Sequence, residues 1–405
     1  MEVVYERCCG VDVHKKMIMT CLRTGKRREI REFGTSTKAL REMATWLESA
    51  SCQIVALEST GSYWKPIYNV LEALGLDVMV VNAQHMKAVP GRKTDAKDAE
   101  WIADLLQYGL LKASYIPHKE QRELREVSRY RKNLIQERAR EINRLEKVLE
   151  GANIKLTSVL KKLTGTSARH LMEGALTDSI TDESIEDMLY GSAKQKSSEI
   201  LESMDGVLSP VQKKLVRAIL DHIDDMTLRI SDMDNIINRE MQQYEEAIGA
   251  LDEIPGIGPE SAQTILAEIG LNMDRFPTAA HLASWAGLSP GNNENAGKRK
   301  SGKTCKSNKT LKTTLVQCAT AAVRRKGTFF RAQYDRLTVR RGANRAKVAV
   351  AHSMIIAIWH MLKFHQSYKD LGGDYYNKFN TEHKIAAYLK KLLELGWQLP
   401  VPIAV

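Results

Sequence analysis

The sequence predicts an α/β domain followed by helical domains, and three features support this division. Strand-like runs alternate with helical segments only in the first 115 residues, long charged helical segments follow, and a strongly basic region comes near the end. A chain of 405 residues is also too long for one ordinary core. We expect an α/β domain at 1–115, helical arms at 116–248, a mostly helical domain at 249–365 and a helical tail at 366–405.

The first domain opens with three strand-like runs and then a helix. Residues 3–13, the run MIMTCLR and the run REIREFG are typical of strands, and three strands in direct succession predict an antiparallel edge of a sheet. A helix is expected at 38–48, because Ser36 or Thr37 can cap its first turn.

Strands then alternate with helices. We expect strands at 53–58 and 77–82, separated by a helix that ends at Gly75. Together these elements predict an α/β sheet with an antiparallel hairpin edge. The order of elements is the one used by the ribonuclease H type of fold.

The middle of the chain carries heptad patterns typical of coiled-coil helices. Ile135, Ile142 and Leu149 recur every seven residues. A second and more regular run consists of Ile219, Ile223, Met226, Ile230, Met233 and Ile237. The two segments could pack on each other or on a partner chain. Since so regular a seam is more often an assembly device than a binding site, we predict a homo-oligomer.

The positive charge is concentrated in one stretch. The formal net charge is +11, yet residues 291–350 alone hold sixteen Lys and Arg against two acids, an excess of +14 that leaves −3 for the rest of the chain. We predict a polyphosphate partner rather than a merely solvated surface. The candidate phosphate-binding residues are Lys298, Arg299, Lys300, Lys303, Lys306, Lys309, Arg324, Arg325, Arg340, Arg341 and Arg345.

A glycine-containing turn precedes this basic stretch. The segment IPGIGPE places Gly256 and Gly258 between two short helices. Glycines in such a turn let backbone amides approach a phosphate, and the next helix offers free N–H groups at its start. The pattern indicates a helix-hairpin-helix that contacts a nucleic-acid backbone, although a tight turn alone would also need glycine.

Four acidic residues are placed where a metal site could form. Asp12 ends the first strand, Glu58 ends the fourth, and Asp95 and Asp98 lie one helical turn apart. Acids at the ends of buried strands need a compensating partner, and ligands collect at the carboxyl edge of parallel strands. We expect the four to converge on Mg²⁺ or Mn²⁺, which prefer oxygen ligands and can assist phosphodiester chemistry. Taken singly, Asp12 could simply end a strand, and Asp95 could cap a helix with Asp98 near the positive end of that helix.

The order Asp12, Glu58, Asp95, Asp98, in the motifs GVDVHK, ALESTG and KTDAKDA, resembles the DEDD set of the insertion sequence one-ten family of transposases. Pilin-gene invertases are similar to them. The resemblance implies a RuvC-like first domain, coiled-coil arms and a transposase domain opened by IPGIG. It also implies DNA cutting and rejoining guided by a noncoding bridge RNA, with assembly into dimers and tetramers.

The family further implies a serine nucleophile, in a loop after a GLxP-like turn, that forms a covalent linkage to DNA. The expected position holds Asn295, whose amide cannot act as this nucleophile. Three explanations stay open. Asn295 is a natural or engineered replacement that blocks cleavage, Ser301 serves instead, or the motif is shifted toward Ser289.

Two rival functions fit the same residues. One is a metal-dependent nuclease or junction resolvase that activates water and forms no covalent intermediate. The other is a transposase-derived regulator that binds nucleic acid and has lost cleavage.

The cellular setting is predicted from what interrupts the apolar segments. The first residues lack the order of a signal peptide, and the most apolar late stretch contains His352, Ser353 and His360, so we expect a cytoplasmic protein without a membrane partner. Six cysteines form no CxxC pair, which predicts reduced, partly buried thiols rather than a zinc site or disulfides.

Overall fold

The structure is a computed structural model that divides into two compact units, Met1–Pro117 and His118–Val405. It describes residues 2–59, 61–82, 95–181, 183–290, 293–295, 298–301, 304, 307–378 and 381–397. Backbone alone is described at 95–97, 293–295, 298–301, 377–378, 381–384 and 387. The finer division of the chain into four domains stays a prediction.

The first unit is built on one mixed sheet of five strands. The strands are β1 (Arg7–Val13), β2 (Met17–Thr24), β3 (Arg27–Gly34), β4 (Ile54–Glu58) and β5 (Val78–Val81), in the order β3-β2-β1-β4-β5. The first three strands pair antiparallel, whereas β1–β4 and β4–β5 are parallel. This confirms the predicted mixed sheet with an antiparallel edge, which is compatible with a ribonuclease H-like domain.

Three helices cover the two faces of this sheet. They are α1 (Thr37–Ser49), α2 (Trp64–Ala73) and α3 (Asp95–Gln107). Successive residues of a strand face opposite sides, so Cys9 and Val11 of β1 pack with Leu40 of α1 and Ile67 of α2. On the other face, Cys8 packs against the apolar residues of α3. Asp12 shares the α3 face by the same alternation.

The second unit begins with two long helices that pack along each other. They are α4 (Lys119–Gly151) and α9 (Pro210–Glu240), and Ser209 caps the latter in a reciprocal capping box with Gln212. The predicted seam residues Ile219, Ile223, Met226, Ile230 and Ile237 are buried, and Met233 is half-buried. The two helices therefore contact each other within one chain, which is one of the two arrangements that the sequence leaves open.

Short helices fill the segment between these long ones. They are α5 (Leu156–Val159), α6 (Thr166–Thr177), α7 (Ile185–Met188), a 3₁₀ turn at Gly191–Lys196 and α8 (Ser197–Ser203). Leu171 and Ile200 from this segment share a core with Leu149 of α4 and Leu220 of α9. Residues 155–200, for which the sequence indicates no role, therefore pack against the helix pair near Leu149 and Leu220.

The remainder of the second unit is mostly helical. Its helices are α10 (Glu245–Asp252), α11 (Pro259–Ile269), α12 (Ala279–Trp285), α13 (Lys309–Ala322), α14 (Phe329–Arg341), α15 (Ala343–Phe364), α16 (Tyr375–Lys378) and α17 (Thr381–Glu394). Two 3₁₀ turns lie at Gln242–Tyr244 and Met273–Arg275, and a hairpin of β6 (Asn293–Asn295) and β7 (Lys298–Ser301) precedes α13.

Helix α15 forms the centre of this part. Within the described chain it is the one helix long and apolar enough to cross a membrane, judged by length and composition alone. It packs against α12, α13 and α14, and its residues Val350, Met354 and Ile358 are fully buried. Burial of these apolar residues against neighbouring helices is typical of a core helix.

Candidate functional site

The sheet places Asp12 beside Glu58 at the carboxyl edge. Parallel pairing of β1 with β4 sets Val11 opposite Leu57, so the next residues along the two strands are Asp12 and Glu58. Asp12 is 7% exposed and Glu58 is half-buried. Two acids therefore lie at neighbouring positions where the strands end, as the sequence predicts.

Helix α3 brings a third acid to this edge. Ala99 and Ala103 of α3 lie directly over Gly10 of β1, and the small side chains allow the helix to approach the sheet closely. Asp98 immediately precedes Ala99, and its charge acts on the carboxylate of Asp12. The helix is thus positioned by small residues so that Asp98 and Asp12 are near each other.

The electrostatics of Asp12 reflect these surroundings. Burial raises the pKa of Asp12, the imidazole of His14 lowers it, and the carboxylate of Asp98 raises it again. His14 Nε2 lies 3.0 Å from Asp12 Oδ2. A buried carboxylate that faces a second carboxylate favours a cation nearby, and carboxylate oxygens are ligands that Mg²⁺ accepts.

The predicted cluster of four is described only in part. Asp95 is the first residue of α3, but its side chain lies outside the described residues. In the part of the chain that the structure describes, no three His, Cys, Asp or Glu side chains form a group that could hold an ion. The donor chemistry fits a divalent cation, while the described geometry brings together the pair Asp12 and Asp98 with Glu58 beside it.

The predicted nucleophile segment forms a hairpin. Asn295 at the end of β6 pairs with Lys298, and Asn293 pairs with Ser301 at the end of β7. A bridge between Pro290 and Thr304 closes the base of this hairpin. The side chains of Asn295 and Ser301 lie outside the described residues, whereas Ser289, next to the base, is half-buried.

Two family models match separate parts of the chain. Residues 9–154 match the DEDD transposase model of the IS110 (insertion sequence one-ten) family, and residues 249–335 match the transposase model of the IS116/IS110/IS902 family. The chain belongs to the IS110 family of transposases. The first match contains the positions of all four acids, and the second contains the hairpin.

Two relatives resemble the transposase over most of its length. A probable family 20 transposase of Pseudomonas aeruginosa is 27% identical over 369 residues, which is 89% of this chain and 94% of the relative. The transposase for insertion sequence element IS1111A of Coxiella burnetii is 23% identical over 372 residues, covering 89% and 87% respectively. The chain is therefore an insertion-sequence transposase, and DNA is its partner.

Exposed basic residues accompany the hairpin segment of the transposase. Of the predicted phosphate-binding residues, those with described side chains are all exposed: Lys309, Arg324, Arg325, Arg340, Arg341 and Arg345. Lys298, Arg299 and Lys300 lie on β7 with side chains outside the described residues, which also exclude Lys303 and Lys306 altogether. Arg340, Arg341 and Arg345 flank the junction of α14 and α15, so their charges are concentrated at one turn.

The glycine turn has a packing role that the sequence does not reveal. A Cβ atom on Gly256 would lie 2.4 Å from the carbonyl oxygen of Cys318 and 2.5 Å from the backbone nitrogen of Ala322, both on α13. Gly256 also has a φ of +87°. Gly258, in contrast, is the N-cap of α11 and has open space at its Cβ position. Of the two glycines, Gly258 is the one whose surroundings leave room for a phosphate.

A buried ion-pair network lies where the hairpin region joins α13. Glu268 of α11 is 1% exposed and accepts two hydrogen bonds from Arg129 of α4, at 2.7 and 2.8 Å. Asn308 Nδ2 donates to Glu268 Oε2 at 2.6 Å, while its Oδ1 accepts from the backbone N–H of Leu311 as the N-cap of α13. Glu268 thus fixes the point at which the chain enters α13 after the hairpin.

Sequence reasoning missed two of these features for different reasons. The partnership of His14 with Asp12 could have been found, because residues two apart on an extended strand share a face. The network of Glu268 could not, since Arg129 and Glu268 are 139 positions apart and neither stands in a local motif.

Proposed function

We propose that this transposase is an RNA-guided DNA recombinase that cuts and rejoins DNA with a carboxylate-bound metal ion. The observation that carries the proposal is the buried Asp12 carboxylate beside Asp98, at the strand edge where Glu58 also lies. A buried carboxylate beside a second carboxylate, in a protein that acts on phosphodiesters, is most simply explained by a divalent cation. The guide RNA is proposed from the resemblance of the motifs to the family, together with the +14 excess of residues 291–350.

Asp12, Glu58, Asp95 and Asp98 would hold Mg²⁺ or Mn²⁺. When bound there, the ion supplies charge stabilisation to the oxygens of a reacting phosphodiester. His14 favours the ionised form of the Asp12 carboxylate and orients it through the contact of its Nε2 with Oδ2. The close packing of Ala99 on Gly10 keeps Asp98 at the edge.

We propose that position 295 is the place of the family's nucleophile for strand cleavage. Asn295 has no hydroxyl group, so this chain would bind DNA and guide RNA but would not form the covalent linkage. Ser301 and Ser289 are the alternatives within the same segment. Lys309, Arg324 and Arg325 would neutralise phosphates near the cut in a salt-dependent manner.

We also propose a cytoplasmic homo-oligomer, with dimers forming tetramers on DNA. The helix pair α4 and α9 would provide the assembly arms.

A covalent-adduct experiment tests the proposal. The protein, its co-purified RNA and the DNA of its insertion element are incubated with Mg²⁺, and protein–DNA adducts are mapped by mass spectrometry. We expect no adduct from the unaltered chain and an adduct at position 295 for Asn295→Ser. That adduct should disappear when Asp12→Ala is added, because the carboxylate cluster is then incomplete.

Other outcomes would assign the chemistry differently. An adduct on Ser301 of the unaltered chain would move the nucleophile there. Free cleaved ends without any adduct would identify a nuclease or junction resolvase. Asn295 specifically favours a further candidate, a cleavage-deficient regulator; salt-sensitive binding without turnover, even in Asn295→Ser, would establish it.

A further inference from the structure

A cavity in the second unit is not accounted for by the carboxylate site or the hairpin. Its volume is about 540 Å³, and it lies between α14 and α15, with Leu337 and Val348 on its walls. We name it the α14–α15 groove. Sites for small organic molecules have volumes of roughly 300–1,000 Å³. The groove is therefore large enough for one nucleotide.

The chemistry of the groove changes from its walls to its mouth. Leu288, Leu337 and Val348 provide apolar surface. Arg341 and Arg345 are exposed and supply positive charge at the rim. No acidic side chain is among the described residues that line the groove. An anionic ligand with a flat apolar face fits this distribution.

Polar groups inside the groove can recognise a hydrogen-bonding edge. Gln333 Nε2 donates to Ser353 Oγ at 2.8 Å, while Gln333 Oε1 is buried and has no hydrogen-bond partner among the described residues. Burial lowers the pKa of His352, so its imidazole is neutral near pH 7 and offers one donor and one acceptor. Buried polar atoms are normally paired in hydrogen bonds. A donor group on a ligand would pair with Gln333 Oε1 once the side chain of Gln333 or Ser353 has reoriented.

The position of the groove connects it to the reacting strand. Pro290 and Thr304, which bridge the base of the β6–β7 hairpin, both line it. Residues Asn295 and Ser301 lie on the strands that rise from this base. A nucleic acid that contacts the base of the hairpin therefore lies next to the groove.

We propose that the α14–α15 groove binds one unstacked nucleotide of the nucleic-acid strand held at the hairpin. The base lies against Leu337 and Val348 with its polar edge toward Gln333, and Arg341 and Arg345 hold its phosphate. Proteins that take a base out of the stack bind it in this way, between apolar surfaces and beside groups that read its edge. The inference rests on the proposed function, because it requires that the chain binds nucleic acid.

A fluorescence experiment tests the proposal. Oligonucleotides carrying a single 2-aminopurine, whose emission rises when it leaves the base stack, are mixed with a saturating amount of the full-length protein. Single-stranded DNA, its RNA counterpart and a DNA duplex are compared, which distinguishes the two sources of the nucleotide. We expect brightening with at least one of them. Ala349→Phe, which fills the groove, should abolish it at saturation.

Two neighbouring arginines provide a matched control. Arg340 and Arg341 are both exposed in the last turn of α14, but only Arg341 lines the groove. Each alanine variant loses the same charge. Arg341→Ala should raise the concentration needed for brightening about tenfold more than Arg340→Ala does, as expected for loss of a charge-assisted hydrogen bond.

The results that would contradict the groove assignment differ from the result that would contradict the proposed function. Equal brightening in Ala349→Phe and the unaltered chain, or equal effects of the two arginine variants, would overturn the groove assignment. So would a shift of Ala349→Phe to a smaller oligomer in sedimentation, since the occupant would then be a second copy. Absence of any nucleic-acid binding by anisotropy would instead overturn the proposed function.

Discussion

A Cβ atom added to Gly10 would lie 2.3 Å from the backbone nitrogen of Ala103. No side chain fits there, so helix α3 lies on the sheet at nearly the closest possible distance. Asp98 immediately precedes Ala99, whose carbonyl oxygen lies equally close to the same position. The proximity of Asp98 to Asp12 follows from the contact of this helical turn with Gly10.

The first prediction concerns this close approach. Gly10→Ala should lower the free energy of unfolding by about 1–3 kcal/mol, the usual cost of overpacking, because the backbone of α3 must move away from the sheet. Urea unfolding followed by circular dichroism measures the change. Gly34→Ala is the matched control, since a Cβ there would meet Ala39 Cβ at an ordinary 3.5 Å. Equal stability of the two variants would contradict the close packing.

The second prediction concerns the buried Glu268. Glu268→Ala leaves Arg129 and Asn308 without their acceptor and should destabilise the protein by about 3–5 kcal/mol, as expected when one partner of a buried ion pair is removed. Glu260→Ala on the same helix is the control, because that side chain is 76% exposed. Its pairing with Arg131 should be worth at most about 1 kcal/mol. Similar urea midpoints for both variants would be inconsistent with the network.

The third prediction concerns the seam between α4 and α9. Ile223→Ala should cost about 2–5 kcal/mol, because Ile223 is buried and its removal leaves a cavity. Leu228→Ala on the same helix should change stability by less than about 0.5 kcal/mol, since Leu228 is 68% exposed. Thermal unfolding of the two variants provides the comparison. A larger effect at Leu228 would indicate that the opposite face of α9 is covered in an oligomer.

The fourth prediction concerns the thiols. The five described cysteines are free and buried, and burial raises the pKa of Cys8 to about 12 and the pKa values of Cys21 and Cys52 to about 11. Near pH 8 these groups are protonated and therefore poor nucleophiles. Iodoacetamide should modify them only after denaturation in urea, as read by peptide mass spectrometry. Rapid labelling of Cys8 in the native protein would contradict its burial.

Much of the first unit could be predicted because its signals are local. The strand runs carry their own apolar patterns, and Ser36 caps α1, whose observed bounds Thr37–Ser49 differ by one residue at each end from those expected. The first strand begins at Arg7 rather than at residue 3. Strand ends depend on pairing partners, which a single run does not contain.

The features that escaped prediction depend on contacts between distant residues. Gly256 stands in a segment typical of a phosphate-binding turn, yet its surroundings are set by Cys318 and Ala322 of α13. The α14–α15 groove likewise arises from helix packing, and nothing in the order of Gln333 and His352 along the chain indicates it. Local patterns identify elements, whereas cavities and buried networks are properties of the assembled unit.

The most direct test of the carboxylate site replaces Mg²⁺ with Fe²⁺ and adds ascorbate and hydrogen peroxide, which cut the polypeptide near the bound ion. Fragments are mapped by mass spectrometry, without any need for DNA cleavage. We expect cuts near Asp12, Glu58 and Asp98 that Mg²⁺ suppresses and that Asp12→Asn abolishes. Cuts confined to other parts of the chain, or cuts unaffected by Asp12→Asn, would contradict it.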